Sequence, residues 1–374
     1  MIRVLHIIDK LSVDGSGIHG IARALEWWAS RVDPGKVVFR ILSLRGREEE
    51  AAAFFEKRGI DLRFVSLGKF DPRTVPVFCQ EARDWQAHVL HLHGYASTNF
   101  GRIASHILSL PNVVHEHVVF PSQPIYQEWA DALLSGLTDS SLAISPAVER
   151  FMIEERRVPA SGLETFFYGI PFDEFAVPKD EEIAEARKTA GVPPNAQVVV
   201  TAGRLAPQKG LVTLVAAFAR IAKTKEAAHL VIVGEGPERK AVEECIAELN
   251  LDGKVHLVGF QKDVRPWIAM ASVFAIASLY EGGPITLFEA MRLSRAIVST
   301  PVGLVPQAIR DGVNGLLVPP GEVEPLSDAL EKVLSNPAKA KSLGDAAFQE
   351  SDQWDVQIAV DKLVLFYRRL VGKW

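Results

Sequence analysis

Cysteine is scarce in this chain of 374 residues, with only Cys79 and Cys245 present. They lie far apart and show no metal-ligand spacing, which excludes a disulfide framework and sets a reducing cytoplasm as the expectation. A basic excess is missing as well: 41 Lys and Arg stand against 46 Asp and Glu, for a net charge of −5. A general nucleic-acid binder needs the opposite balance, and no polybasic segment offers a membrane anchor. No apolar run approaches the length of a membrane-spanning helix. The opening MIRVLHIID is too short, and too polar at its flanks, to read as a secretory signal. Internal repeats and low-complexity segments are also absent. Apolar residues make up 48% of the chain. That is enough for two cores, and the length exceeds one typical domain, so two domains are expected.

One stretch organises the rest: Ser278 to Thr300, SLYEGGPITLFEAMRLSRAIVST. Before it, Val273 to Ala277 is short, apolar and partly β-branched, as in a buried parallel strand. Gly282, Gly283 and Pro284 follow, and then Ile285, Leu287, Phe288 and Met291 fall at helical spacing. A proline in the first turn is tolerated because its position needs no N–H. The pattern is strand, glycine loop, helix N-terminus, and first-turn N–H groups there make an anion site. Glu281 sits in the loop and Glu289 inside the helix. At about 1.5 Å rise per residue, the two carboxylates bracket the helix start by the span of a diphosphate carrying a sugar at one end and a ribose at the other. A surface helix with an ordinary glutamate and turn-forming glycines is the plain alternative.

In chain order, Val4–Ile8 reads as a first strand. The loop DGSGIHG opens a helix at Ile21–Arg31, but Gly15, Gly17 and Gly20 do not match the dinucleotide spacing GxGxxG. Trp28 shares the apolar face of that helix, and Trp27 is expected at its rim. Further strands are predicted at 37–43, 62–65, 89–93, 112–117 and 142–145, with helical patterns such as 48–57 and 100–108 between them. Alternating strands and helices give a parallel sheet covered on both faces, with ligands at the strand carboxyl ends. His91 with His93, and His115 with His117, form two pairs at strand ends, each pair on one face by the period of two. A hydrogen-bonded structural role is the default for each histidine. No nearby carboxylate or cysteine completes a metal site. His93 and His117 lie nearest the strand ends.

A segment rich in proline, glycine and acids, 166–183, marks a domain boundary near residues 170–175. A second series of strands is predicted at 198–202, 230–233, 254–258, 273–277, 296–299 and 315–318. The loop GRLAPQKG, Gly203 to Gly210, follows the first of these and carries Arg204 and Lys209, two cations suited to a diphosphate. VGEGPER and VGFQKDV follow the next two strands, so the informative loops share one sheet edge. A final helix, 353–370, has Val356, Ile358, Leu363, Leu365 and Phe366 as candidate buried residues.

Together GRLAPQKG, VGEGPER, EGGPITLFEAM and TPVGLVPQAIRDGVNGLLVPPGE resemble retaining glycosyltransferase family 4, of the GT-B fold: two Rossmann-like doubly wound α/β domains facing a central cleft. The match is specific in four loops over most of 198–330. It is looser before them, through the opening glycine loop, HEH and YGIPFDEF. The resemblance implies an acceptor-side domain at 1–172, with a tail helix at about 355–374 packing back on it, and a donor domain at 173–354. It implies that Arg204 and Lys209 hold a donor diphosphate, that Glu281 meets sugar hydroxyls, and that backbone at Gly282, Gly283, Ile285, Thr286 and Leu287 meets sugar and phosphates. Glu289 would bind the ribose, Gly259 would lie by the base, Gly17 by the phosphate, and His117 by the reacting sugar. His117, Glu281, Arg204 and Lys209 are the expected catalytic set.

The expected activity is transfer of a sugar from a nucleotide sugar, UDP-linked ahead of GDP-linked, to a hydroxyl acceptor with retained configuration. The acceptor would be a glycan, glycolipid or small metabolite. No Asp-x-Asp element occurs, so neither metal nor cofactor is expected. Nucleic acid is not an expected partner, and a lipid-linked acceptor would bring peripheral membrane contact. Two features depart from the family pattern: the first loop lacks adjacent glycines, and TPVG continues Leu304-Val305-Pro306-Gln307 where Gly and Glu are common at the first and last of these positions. A nucleotide-sugar epimerase on the same fold would be expected to lack GRLAPQKG and the paired glutamates in this form, and a non-catalytic scaffold would be expected to have lost several of Arg204, Lys209, Glu281, Glu289 and His117.

Overall fold

The computed structural model describes residues 1–12, 18, 20–119 and 123–372. It divides into two compact units, Met1–Pro171 with Trp354–Trp374, and Phe172–Gln353. The first unit holds seven strands: β1 Ile2–Ile8, β2 Val37–Ser43, β3 Leu62–Phe64, β4 Val89–His93, β5 Asn112–Glu116, β6 Ser140–Ala143 and β7 Leu163–Thr165. They pair in parallel in the order β3-β2-β1-β4-β5-β6-β7. The second unit holds six: β8 Gln197–Ala202, β9 Ala228–Val233, β10 Val255–Leu257, β11 Val273–Ile276, β12 Ile297–Ser299 and β13 Leu316–Leu317. Their parallel order is β10-β9-β8-β11-β12-β13. These are two doubly wound sheets. Their orders break between β1 and β4 and between β8 and β11, where loops diverge and leave a crevice at the strand carboxyl ends.

The central strands β8 and β11 of the second unit are largely apolar on both faces because helices cover both. In the second unit, Val199, Leu230 and Ala275 share one buried cluster with Leu214 and Phe218 of the helix Leu211–Ala222. Each fully buried Leu or Phe there contributes about 1.5–3 kcal/mol relative to exposure.

Several expectations shift. β6 forms at Ser140–Ala143 rather than at 142–145, because Ser145 instead caps the helix Pro146–Glu154, its Oγ accepting from Val148 N at 3.4 Å. β7 is short and half exposed, with no periodicity to announce it. Pro284 precedes the helix Ile285–Arg292 in extended conformation instead of occupying its first turn. Trp27 is buried rather than at the rim, since its helix, Gly20–Arg31, packs against the tail helix Val356–Val371. In that tail helix Val356, Leu363 and Phe366 are buried, but Ile358 and Leu365 are exposed. The stripe of period 3.6 runs instead through Ala359, Val360, Tyr367 and Leu370.

The tail helix is tied to the first unit through its start. Ile170 N donates to Trp354 O at 2.9 Å and Val356 N to Ile170 O at 2.9 Å. Gly169 permits this approach: its φ is +76°, and a Cβ there would stand 2.3 Å from Val356 Cα.

Candidate functional site

The second unit gathers its chemistry where the strand order breaks. The loop after β8 and the loop after β11 border a pocket lined by Arg204, Lys209, Ser278, Pro284 and Thr286 among others. Lys209 ends the short 3-10 turn Pro207–Lys209, which aims its side chain back along Gly203. Its Nζ donates to Glu281 Oε1. Ser278 Oγ donates to the same Oε1 at 3.0 Å. Glu281 Oε2 therefore remains to accept from a ligand hydroxyl, and the Lys209 ammonium keeps two further donors. Arg204 is exposed at the pocket, with no side-chain partner among the described residues. The site thus holds one uncompensated guanidinium beside one ammonium held by a carboxylate.

The helix Ile285–Arg292 starts at this pocket. Leu287 is buried and its N–H is taken by Pro284 O at 3.1 Å. The amides of Ile285 and Thr286 have no backbone partner among the described residues and carry the positive end of the helix dipole. Thr286 Oγ1 donates to Ala202 O at 3.3 Å and pins the helix start to the end of β8. Glu289 is half-buried one turn on. The guanidinium of Arg265, raised first by its hydrogen bond to Asp263, also feels the charge of Glu289. Gly259 lies beyond β10, where its carbonyl accepts from Gly234 N at 2.9 Å. Gly282 and Gly283 complete the loop beside Glu281.

Two contributors were not singled out from sequence. Ser278 orients the Glu281 carboxylate. Gly303, in the TPVG segment, presses against the glycine loop: a Cβ there would stand 2.4 Å from Gly282 O, and its φ is +57°. The sequence signal was the TPVG motif itself, which carries no charge to attract notice.

In the first unit, Gly17 and the glycine loop around it lie outside the described residues. His117 follows β5 and is 8% exposed. Both of its ring nitrogens are engaged, Nδ1 with Tyr168 Oη at 3.1 Å and Nε2 with His93 Nδ1 at 3.0 Å. The pairs expected at the strand ends belong to a larger buried cluster that includes His6 of β1. Burial, with the neighbouring imidazoles, pushes His6, His91 and His115 well below the usual imidazole range, so these rings are neutral. Beside them, buried Arg102 and Arg156 share Asp131 at 3.0 and 2.5 Å, and Arg156 also pairs with Glu116.

Residues 182–350 match the family model described as glycosyl transferases group 1. The α-D-kanosaminyltransferase of Streptomyces kanamyceticus is 26% identical over 267 residues, covering 70% of this chain and 67% of that protein. The lipopolysaccharide core biosynthesis glycosyltransferase LpsE of Rhizobium meliloti is 31% identical over 154 residues, covering 41% of this chain and 44% of its own length. Among solved structures, Anabaena Alr3699/HepE in complex with UDP superposes with a TM-score of 0.84 at 21% identity, over 99% of this chain and 100% of that one. That likeness establishes the GT-B fold, and the second unit is a group 1 glycosyltransferase domain.

Proposed function

We propose, from the premise that residues 182–350 form a group 1 glycosyltransferase domain, that this chain moves a sugar from a nucleoside diphosphate sugar to a hydroxyl acceptor with retention at the anomeric carbon. The observation that carries the reading is the convergence of Arg204, Lys209 with its partner Glu281, and a helix N-terminus at one pocket where the strand order breaks. Arg204, Lys209 and the amides of Ile285 and Thr286 would bind the diphosphate and stabilise its growing charge as the sugar departs. Glu281 Oε2 would accept from a sugar hydroxyl, and Glu289 from the ribose. Gly259 would border the base and Gly17 the phosphate. The donor is UDP-linked in this reading. Alr3699/HepE, which shares the fold, has been solved with UDP and with UDP-glucose.

The leaving phosphate would assist deprotonation of the acceptor on the same face of the sugar, since the Glu281 carboxylate is already engaged by Lys209 and Ser278. His117 would reach a sugar hydroxyl through Nδ1, in exchange for its bond to Tyr168. The acceptor would be a glycan, glycolipid or small metabolite. No helix among the described residues is long and apolar enough to cross a membrane, so a lipid-linked acceptor would be met at the membrane surface. Cys79 and Cys245 are both free thiols, which suits a cytoplasmic setting.

Protein cations stand in for a metal at the diphosphate in this proposal. Calorimetry with UDP tests it: affinity should be the same with and without EDTA, and a panel of nucleotide sugars should show slow hydrolysis of UDP-linked donors first. UDP binding that collapses in EDTA and returns with Mg²⁺ counts against the site as drawn.

A further inference from the structure

Four histidines from three neighbouring strands, and His117 just beyond β5, meet in the interior of the first unit. β1 lies beside β4 with His6 opposite His91, and β4 beside β5 with His93 opposite His115. His91 and His93 share a face by the period of two, as do His115 and His117. All five are buried, with exposures from 0 to 8%. One ring nitrogen from each of His93, His115 and His117 lies within 4.8 Å of the other two.

The partners of these three rings sort into an outer and an inner set. His117 Nδ1 is held by Tyr168 Oη at 3.1 Å, His93 Nε2 by His6 Nδ1 at 3.0 Å, and His115 Nδ1 by His91 Nε2 at 3.2 Å. That leaves the other nitrogen of each ring. His93 Nδ1 and His117 Nε2 face one another at 3.0 Å. His115 Nε2 is buried with no hydrogen-bond partner among the described residues, an unfavourable arrangement unless something occupies it.

We propose that His93, His115 and His117 form a site for a divalent transition metal of the zinc class. Three imidazoles with their outer nitrogens held by hydrogen-bond partners are the usual anatomy of such a centre, because the outer bond fixes the tautomer and aims the inner lone pair. Zn–N bonds of 2.0–2.1 Å in tetrahedral geometry separate ligand nitrogens by roughly 3.3 Å, close to the spacing already present between His93 and His117. The protons can be placed to suit. His117, His93 and His115 carry their N–H on the outer nitrogen, facing Tyr168, His6 and His91. His6 and His91 then donate to the Tyr367 oxygen, 3.4 and 2.5 Å away. All five rings stay neutral and three lone pairs point inward. Imidazole ligands alone favour Zn²⁺, Co²⁺, Ni²⁺ and Cu²⁺ over the oxygen-seeking Mg²⁺ and Ca²⁺. The inference does not rest on the glycosyl-transfer reading, and it places the metal in the first unit.

Titrating the full-length chain, stripped with chelator and dialysed, with Zn²⁺ alone tests this. The expected result is one Zn²⁺ per chain with Kd of about 1 µM or tighter, and the visible absorption of four-coordinate cobalt when Co²⁺ replaces it. His93→Gln and His115→Gln should each weaken binding by more than ~100-fold, and Tyr168→Phe, which removes only an outer partner, by about tenfold. His229→Gln, which breaks the His229–His256 pair of the second unit, should change nothing. Absence of stoichiometric binding by the unaltered chain, or binding that survives both His93→Gln and His115→Gln, overturns the proposal. Should those two variants fail to fold, the unaltered chain and Tyr168→Phe still decide it, because an adventitious surface site would not respond to a buried hydroxyl.

Discussion

Lys209 and Glu281, 72 positions apart in sequence, are joined by an ion pair that links the loop after β8 to the loop after β11. The pair holds an ammonium at the pocket and engages one carboxylate oxygen while leaving the other for a hydroxyl, so the two groups should fail differently when altered. Lys209→Ala and Arg204→Ala are expected to weaken UDP binding and to lower turnover, each by ~10–100-fold, since charge on the diphosphate grows as the bond breaks. Glu281→Gln keeps the shape of the loop and should hold UDP affinity within about threefold while turnover falls by ~100-fold. Calorimetry with UDP beside a rate assay separates the two classes. An equal loss of UDP affinity in Glu281→Gln and Lys209→Ala would mean that Glu281 acts only by placing Lys209.

Gly303 backs the glycine loop at a distance no side chain can occupy. Gly303→Ala should push Glu281 and Gly282 out of place and reduce UDP affinity by tenfold or more, with the far-ultraviolet circular dichroism unchanged. Gly312→Ala is the control. Its φ is +73° with open space around it, so it should cost about 1–2 kcal/mol of stability and leave UDP affinity intact.

Asp131 is fully buried between Arg102 and Arg156, and Glu116 balances the second guanidinium. Burial pushes Arg102 down to about 10 and Glu116 up, yet the four charges cancel. Asp131→Asn leaves two guanidiniums against one carboxylate and should destabilise the first unit by about 3–5 kcal/mol. Thermal unfolding would report this as loss of one transition, with the transition of the second unit unmoved. A melting profile identical to that of the parent would show that water reaches this network.

His117→Ala should leave UDP affinity nearly unchanged, because Arg204, Lys209, Glu289 and the amides of Ile285 and Thr286, the groups assigned to hold the nucleotide, lie in the second unit. Turnover should drop by ~100-fold if Nδ1 makes one well-placed polar contact in the transition state. Full activity in this variant would reduce His117 to its bonds with His93 and Tyr168.

The donor side was legible in the sequence because its chemistry is local. Glycines and charges sit in loops directly after apolar strands, so spacing alone places Arg204, Lys209 and Glu281 at one sheet edge. The Lys209–Glu281 pair itself was not legible, since nothing in either loop fixes the direction of a lysine side chain. The histidine cluster was only half visible. Periodicity paired His91 with His93 and His115 with His117, but His6 joins through strand order and Tyr367 through a helix 361 positions away from it. Side-chain period describes one strand at a time and says nothing about which strands become neighbours. The failures in the tail helix have a similar origin. Ile358 and Leu365 are as apolar as their buried neighbours, and only the packed face distinguishes them.

Because Gly169 lets the chain receive the segment at Trp354 to Val356, the first unit is built from two stretches separated by the whole of the second. Domains generally fold as units as they leave the ribosome. Here residues 1–171 emerge first but must wait for Tyr367, which is fully buried and bonded to His91, while residues 172–353 are contiguous and complete before it arrives. The later unit can therefore finish folding ahead of the earlier one. During that interval the face of the helix Gly20–Arg31 destined for the tail helix is open, and this is the period in which nascent chains would most need a chaperone.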